Sequence, residues 1–201
     1  MIKNRKNKKG FTLIELLVVI AIIAILAVVV VLTLNPAELL RQARDSNRVS
    51  DFATLKSAIG LYSEDVATSS PLATAGTIFT SATTSVSIGN LVSGTSTASS
   101  SWGFAGGETV TSTALRAING TGWIPINFSL ISSGAPIGSL PVDPVNSGAN
   151  VYAFTASSTV YKLATKTESV KYSNTGPGDV ESTDGGNSPW TYEQGTNLTG
   201  L

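Results

Sequence analysis

The chemistry in this chain is concentrated near its N-terminus. A single carboxylate, Glu15, lies in an apolar run from Phe11 to Leu34 whose other polar members are Thr12 and Thr33. A charged side chain inside a membrane span costs about 2.5 kcal/mol or more unless it is paired. Two interpretations of Glu15 follow. Either it lies close to the membrane interface and snorkels or becomes protonated, or it pairs with a cation from another molecule.

The apolar run itself predicts a membrane span. Its 24 residues would extend about 36 Å at 1.5 Å per residue, enough to cross a hydrocarbon core of about 30 Å. A secretory signal would have a shorter apolar core followed by a small-residue cleavage site. The flank before Gly10 is basic, which predicts a cytoplasmic N-terminus and export of the remainder. Its five cations are Lys3, Arg5, Lys6, Lys8 and Lys9.

The stretch from Lys8 to Leu17, Lys-Lys-Gly-Phe-Thr-Leu-Ile-Glu-Leu-Leu, resembles the prepilin signature of type IV pilins and type II secretion pseudopilins. The resemblance implies that a prepilin peptidase cuts after Gly10 and that the new N-terminus, Phe11, is N-methylated. It also implies that Glu15 forms an assembly salt bridge with the N-terminal ammonium of a neighbouring subunit. The alternative is a signal anchor of a membrane-bound surface protein that does not polymerise.

Composition removes several function classes. The chain has no cysteine and no histidine, which excludes disulfides, thiol chemistry and the usual zinc and proton-transfer ligand. It contains no phosphate-binding glycine motif. Loss of residues 1–10 would leave 8 basic against 13 acidic residues, a net charge of −5 before the new amine is counted, which argues against a nucleic-acid partner. We expect no enzyme, no catalytic residue and no cofactor.

The pattern predicts an α+β, pilin-like fold in six parts. A long N-terminal helix, membrane-spanning in its first half and amphipathic in its second, is expected to pack on a small antiparallel sheet. Asn35-Pro36 predicts either a kink or a new helix with Pro36 at its first position. The parts are a leader at 1–10, the span at 11–34, the amphipathic half at 35–65, a Ser/Thr-rich variable loop region at 66–122, the sheet region at 123–173 and an irregular tail at 174–201.

The amphipathic half has an apolar stripe and a cationic face. Apolar residues recur at spacings of three and four and are predicted to form core. Arg41, Arg44 and Arg48 share another face, which we expect to be solvated. The stripe is Phe52, Leu55, Ile59 and Tyr62.

The remaining segments predict short elements. We expect strand-like pieces at 77–80 and 85–88, helical turns at 113–119, an edge strand at 123–128, a hairpin from 151–155 and 159–164, and a further strand at 168–172. Trp190 and Tyr192 of the tail are expected to dock onto the sheet. Three sequons, at Asn119, Asn127 and Asn197, make glycosylation a hypothesis.

Two groups of oxygen-bearing side chains are candidate calcium ligands. Asp143 and Asn146 lie in a turn at 138–146 that resembles one in the C-terminal half of pseudopilins, some of which bind calcium in a loop of that half. Two side chains do not supply the six to eight oxygens that calcium prefers, so we favour a structural turn. The second group, in the tail, lacks the spacing of a calcium loop and is favoured as solvated; it comprises Asp179, Glu181 and Asp184.

The resemblance implies a structural subunit of a type IV-class pilus, serving adhesion or motility, with a pseudopilin of a type II secretion system as the alternative. The implied partners are identical or related subunits, the prepilin peptidase, and a membrane platform with an ATPase. The precursor is expected in the bacterial cytoplasmic membrane as a single-pass protein and the mature chain in an extracellular pilus.

Overall fold

The computed structural model of the chain describes residues 10–66, 72–83, 102–104, 109–199 and 201. These fall into two compact units, Met1–Leu39 and Leu40–Leu201. The architecture is α+β: two helices and a five-stranded, mostly antiparallel sheet. The fold class predicted from the sequence is confirmed.

Helix α1 spans Leu13–Leu34 and helix α2 spans Pro36–Asp65. They are separated by Asn35, whose φ of 40° is left-handed and ends α1. Asparagine tolerates this conformation better than most residues. Pro36 then takes the first position of α2, where its missing N–H is not needed. The helix is therefore interrupted, and the alternative in which Pro36 starts a new helix is the one observed.

The sheet is formed by β1 (Thr77–Thr80), β2 (Thr109–Ser112), β3 (Ala153–Ser157), β4 (Val160–Thr165) and β5 (Tyr192–Gly195), in the order β2-β1-β3-β4-β5. Strands β1 and β2 are parallel, and the other neighbours are antiparallel. The predicted hairpin is confirmed as β3 and β4, joined through Ser158, whose φ is 56°.

The two faces of the sheet carry separate cores. On one face Phe154 and Leu163 pack with the α2 stripe, including Phe52 and Leu55. Because side chains alternate along a strand, Ala153 and its neighbours face the other way. They form a second cluster with Ile78, Trp102, Phe104, Val151 and Ala164. The α2 stripe is therefore core, as predicted.

The predicted edge strand at 123–128 is wrong. The segment instead bonds to a neighbouring loop, with Trp123 N donating to Leu115 O at 2.9 Å and Phe128 N to Ile118 O at 2.8 Å. Pro125 lacks the N–H that a ladder needs. A 3-10 helix follows at Phe128–Leu130. The apolar side chains of the segment are nevertheless buried, which explains why the sequence looked strand-like; they are Trp123, Ile124, Ile126 and Phe128.

Other elements also differ from prediction. Residues 113–119 form no helical turn, and residues 168–172 form turns instead of a strand. The tail predicted to be irregular contains β5, whose Tyr192 stacks on Phe52 with ring centres 5.7 Å apart. Strand β1 coincides with the predicted piece at 77–80, whereas the piece predicted at 85–88 lies outside the described residues.

Candidate processing and assembly site

The Gly10-Phe11 junction is exposed immediately before α1. Phe11 is 86 % exposed, and a Cβ built at Gly10 would meet no atom of the described residues within 4 Å. The described fold therefore does not require glycine at position 10. A requirement for glycine there would come from the molecule that recognises the junction.

Thr12 and Glu15 form a reciprocal cap at the start of α1. The Thr12 backbone N–H and hydroxyl donate to Glu15 Oε2 at 2.8 and 2.7 Å, and the Glu15 N–H donates to Thr12 Oγ1 at 3.3 Å. Such a capping box satisfies backbone donors that the first helical turn leaves unpaired. This capping role was not predicted from the sequence, although a threonine three residues before a glutamate, ahead of an apolar run, is the pattern typical of it.

The cap uses only one oxygen of the Glu15 carboxylate. Both hydrogen bonds go to Oε2, and among the described residues Oε1 receives none. Glu15 is exposed beside an open apolar groove that Phe11, Ile14, Val18 and Val19 line with it. A carboxylate has about four lone-pair positions, so the capped Glu15 keeps acceptor capacity for a cation.

The rest of α1 is apolar and exposed on every side. The segment Leu13–Val31, of mean hydropathy 3.4, is the one stretch within the described ranges that is long and apolar enough to cross a membrane. Thr33 satisfies its hydroxyl inside the helix by donating to Val29 O and Val30 O at 3.1 and 3.0 Å. A helix that is hydrophobic all round needs lipid or other protein around it.

A family model described as the prokaryotic N-terminal methylation motif matches residues 5–31. The chain carries a prepilin signature. The match includes the Gly10-Phe11 junction, Glu15 and most of α1, and a prepilin signature marks a type IV pilin- or pseudopilin-like precursor. With α1, it fits a single-pass, membrane-anchored precursor that a prepilin peptidase processes. Neither a curated protein nor a solved structure matches the chain.

The side chains of both candidate calcium-ligand groups bind other partners. Asp143 binds Arg48, and Asn146 exchanges hydrogen bonds with Ser81. Glu181 accepts from the N–H and hydroxyl of Thr167 at 3.0 and 2.8 Å. Asp179 accepts from neighbouring backbone N–H groups, and Asp184 does so from Gly186 and Glu193. Within the described ranges, no group of three or more acidic side chains is placed to hold a metal ion.

The prediction that the arginine face is solvated was wrong for Arg48. This side chain is fully buried, and its guanidinium binds both oxygens of Asp143 at 2.6 and 2.9 Å, Asp45 at 2.6 Å and Glu168 at 2.6 Å. Arg44 adds a second ion pair to Glu168. Burial alone would lower the pKa of Arg48, but the hydrogen bonds and charges of these carboxylates outweigh it and raise the pKa.

The sequence did contain a signal for this buried network of ion pairs, which comprises Arg44, Asp45, Arg48, Asp143 and Glu168. Arg48 and Asp45 continue the apolar stripe of α2 at the same alternation of three and four residues, so their positions face the core. Their acidic partners come from loops far along the chain, with Asp143 separated from Arg48 by 95 residues. The stripe positions are 45, 48, 52, 55, 59 and 62, and all are buried.

Proposed function

We propose that this chain is a structural subunit of a type IV-class pilus that serves adhesion or motility. In this proposal the peptidase removes residues 1–10 and the Phe11 amine is methylated. Helix α1 holds the precursor in the membrane and then joins the core of the filament. Growth occurs when Glu15 of one subunit meets the Phe11 ammonium of the next, at a platform driven by an ATPase.

The observation that best supports this proposal is that the cap leaves one oxygen of the Glu15 carboxylate available to a cation. This carboxylate lies in an exposed apolar helix, where an unpaired charge is costly, and the cap engages only Oε2. An ammonium brought by a second subunit gives the remaining oxygen a partner. Two charges that are each costly in an apolar medium cost less as a pair than apart.

The choice of a surface pilus over a secretion pseudopilus rests on the sequence of residues 66–122. This long segment is rich in serine and threonine, a composition suited to an exposed filament surface. The irregular tail that the sequence suggested gives no further support, because β5 orders part of it.

The capping box allows a test that separates the two roles of Glu15. Glu15→Gln keeps an acceptor for the Thr12 N–H, since glutamine also serves in a capping box, but it removes the charge. Thr12→Ala removes the hydroxyl of the cap and keeps the charge. We expect Glu15→Gln, Glu15→Ala and Glu15→Val to reduce filament yield to background and Thr12→Ala to retain filaments. Intact mass should show a chain that begins at Phe11 with one added methyl group in all of them.

Wild-type filament yield from Glu15→Gln would contradict the pairing role. Abundant extracellular filaments made of this chain support a pilus, whereas short filaments that depend on a secretion system would identify a pseudopilin. An uncut N-terminus in mature material, with no filaments, would identify a membrane-anchored surface protein that does not polymerise.

A further inference from the structure

A buried lysine lies on the face of the sheet opposite α2. Lys162 of β4 is fully buried, and its Nζ lies 5.2 Å from the centre of the Phe104 ring. On β5, Glu193 is equally buried, and its Oε1 lies 2.6 Å from Nζ. The register pairs Lys162 with Gly195 and Ala164 with Glu193, so the lysine and the glutamate are diagonal neighbours on one face.

Three further oxygens surround the amine. Lys162 Nζ donates to Gly103 O at 2.7 Å, Asn187 Oδ1 at 2.8 Å and Leu198 O at 3.0 Å. A Cβ built at Gly103, whose φ is +69°, would collide with Asn187 Oδ1 and Glu193 Oε1 and lie 3.0 Å from Nζ. An amine, a carboxamide and a carboxylate therefore converge on the space that the missing side chain of Gly103 leaves open.

The carbonyl carbon of the Asn187 amide is within reach of the amine. A C=O bond is about 1.23 Å long, so a 2.8 Å contact with Oδ1 places Cγ at most about 4.0 Å from Nζ. Attack requires a separation of about 3–3.5 Å, so the Asn187 amide must move toward the amine by no more than about 1 Å before the bond forms. Asn187 is an exposed residue, so a leaving group released from its amide has a path to solvent.

Burial of the Lys162–Glu193 ion pair works against its charged form, whereas the 2.6 Å contact between the two groups stabilises that form. Burial raises the pKa of Glu193, opposed by its interaction with Lys162. A buried site disfavours both the ammonium and the carboxylate. Transfer of one proton from Nζ to Glu193 removes both charges at once and leaves an amine with a lone pair that can attack a carbonyl.

We propose that Lys162 and Asn187 join through an intramolecular isopeptide bond, with Glu193 transferring the protons. Glu193 takes one proton from the Nζ ammonium, and the Nζ–Cγ bond forms. Glu193 then delivers that proton to Nδ2 and takes up a second proton from Nζ. The Cγ–Nδ2 bond breaks, ammonia leaves, and a secondary amide remains. No oxidant or added reagent is needed, and the reaction occurs once per chain.

The bond would tie β4 to the segment that leads into the edge strand β5. Residues 162 and 187 are 25 positions apart, so the closed loop includes the turns between β4 and β5. A chain without cysteine has no disulfide to restrain this C-terminal region. The bond supplies such a restraint by a reaction that depends only on folding, and it is independent of filament assembly.

The test is peptide mass mapping of the mature full chain after denaturation and digestion. We expect a branched peptide that contains residues 162 and 187, with a mass about 17 Da below the sum of its two arms, the loss of one ammonia. Trypsin should not cut after Lys162 in the cross-linked chain, because an amide at Nζ carries no positive charge. Recovery of both arms as separate peptides of unmodified mass from folded wild-type protein would overturn the proposal.

Matched variants exclude the other source of the same mass loss. A succinimide at Asn187-Ser188 also releases ammonia, but it links no second peptide and does not need a lysine. Lys162→Arg should therefore abolish the branched peptide, whereas Lys166→Arg, at a nearby partly buried lysine, should retain it. Glu193→Gln should reduce the linked fraction at least tenfold in protein that still folds. Wild-type linkage in Glu193→Gln would overturn the proton-transfer role, and a mass loss that persists in Lys162→Arg would assign that loss to the succinimide.

Discussion

Charged and apolar side chains are placed in opposite ways in helix α1 and in the unit Leu40–Leu201. The described side chains of α1 are exposed although nearly all are apolar, and the one carboxylate is partnered by Thr12 within the same helical turn. The second unit buries its apolar side chains and also buries Arg48 and Lys162, each against carboxylates.

The difference shows which unit provides partners for its own charged and apolar side chains and which one does not. The second unit supplies counter-charges for its own buried cations from distant parts of the sequence. Helix α1 has apolar surface that only lipid or further protein can cover, and a carboxylate with acceptor capacity to spare. A prepilin signature on such a helix is consistent with this difference, because lipid covers the apolar surface of a membrane-anchored precursor.

The largest effect on folding is expected from Arg48→Met. The substitution leaves Asp45 and Asp143 buried without their counter-charge, and removing one partner of a buried ion pair costs about 3–5 kcal/mol. Urea unfolding of the chain in detergent, followed by tryptophan fluorescence to which the buried Trp102 and Trp123 contribute, measures this cost. Arg41→Met, at an exposed position of the same helix, is the control and should cost less than about 1 kcal/mol. Equal losses of unfolding free energy from the two variants would contradict the view that Arg48 stabilises the second unit through its buried ion pairs.

A matched pair of leucines compares the two units directly. Leu55→Ala removes a fully buried side chain from the second unit and should cost about 3 kcal/mol in the same unfolding measurement. Leu26→Ala removes a side chain of α1 that is 58 % exposed and should change that value by no more than about 0.5 kcal/mol. If Leu26→Ala lowered the free energy of unfolding as much as Leu55→Ala does, the stability of the second unit would depend on α1.

The smallest effect is expected at the rim of the buried network. The Arg44 hydrogen bond, with further contributions from Arg48, holds the pKa of Glu168 below its usual 4.5. The carboxylate therefore stabilises the fold above about pH 4.5, and this contribution is lost as the pH falls through the lowered value. Glu168→Gln should cost about 1 kcal/mol at pH 7, with the difference from wild type closing in acid.

Unfolding curves between pH 7 and pH 3 provide the measurement for this last prediction. Glu64→Gln, at an exposed position of α2, is the control and should stay within about 0.5 kcal/mol of wild type at pH 7. A difference between Glu168→Gln and wild type that grows in acid would contradict the assigned sign.

Local patterns gave the predictions that held. The α2 stripe repeats every three or four residues, and the β3–β4 hairpin is short, so both depend on neighbours within a few positions. The predictions that failed depended on partners that a local pattern does not identify. Residues 123–128 bond to the nearby loop at 115–118 instead of to a strand, and β5 adds to the sheet beside the distant β4 although its own sequence looked irregular.

The sequence by itself determined the exposed apolar helix, the Gly10-Phe11 junction and the position of Glu15, because these features follow from composition and spacing within one short segment. The spacing of α2 already placed position 48 on the core face, but only the tertiary structure decided that Asp143 is the partner of Arg48 and that Lys162 meets Asn187 and Glu193. The physical reason is chain separation: such contacts join positions that nothing in the local pattern connects, and only packing of the second unit brings them within hydrogen-bond distance.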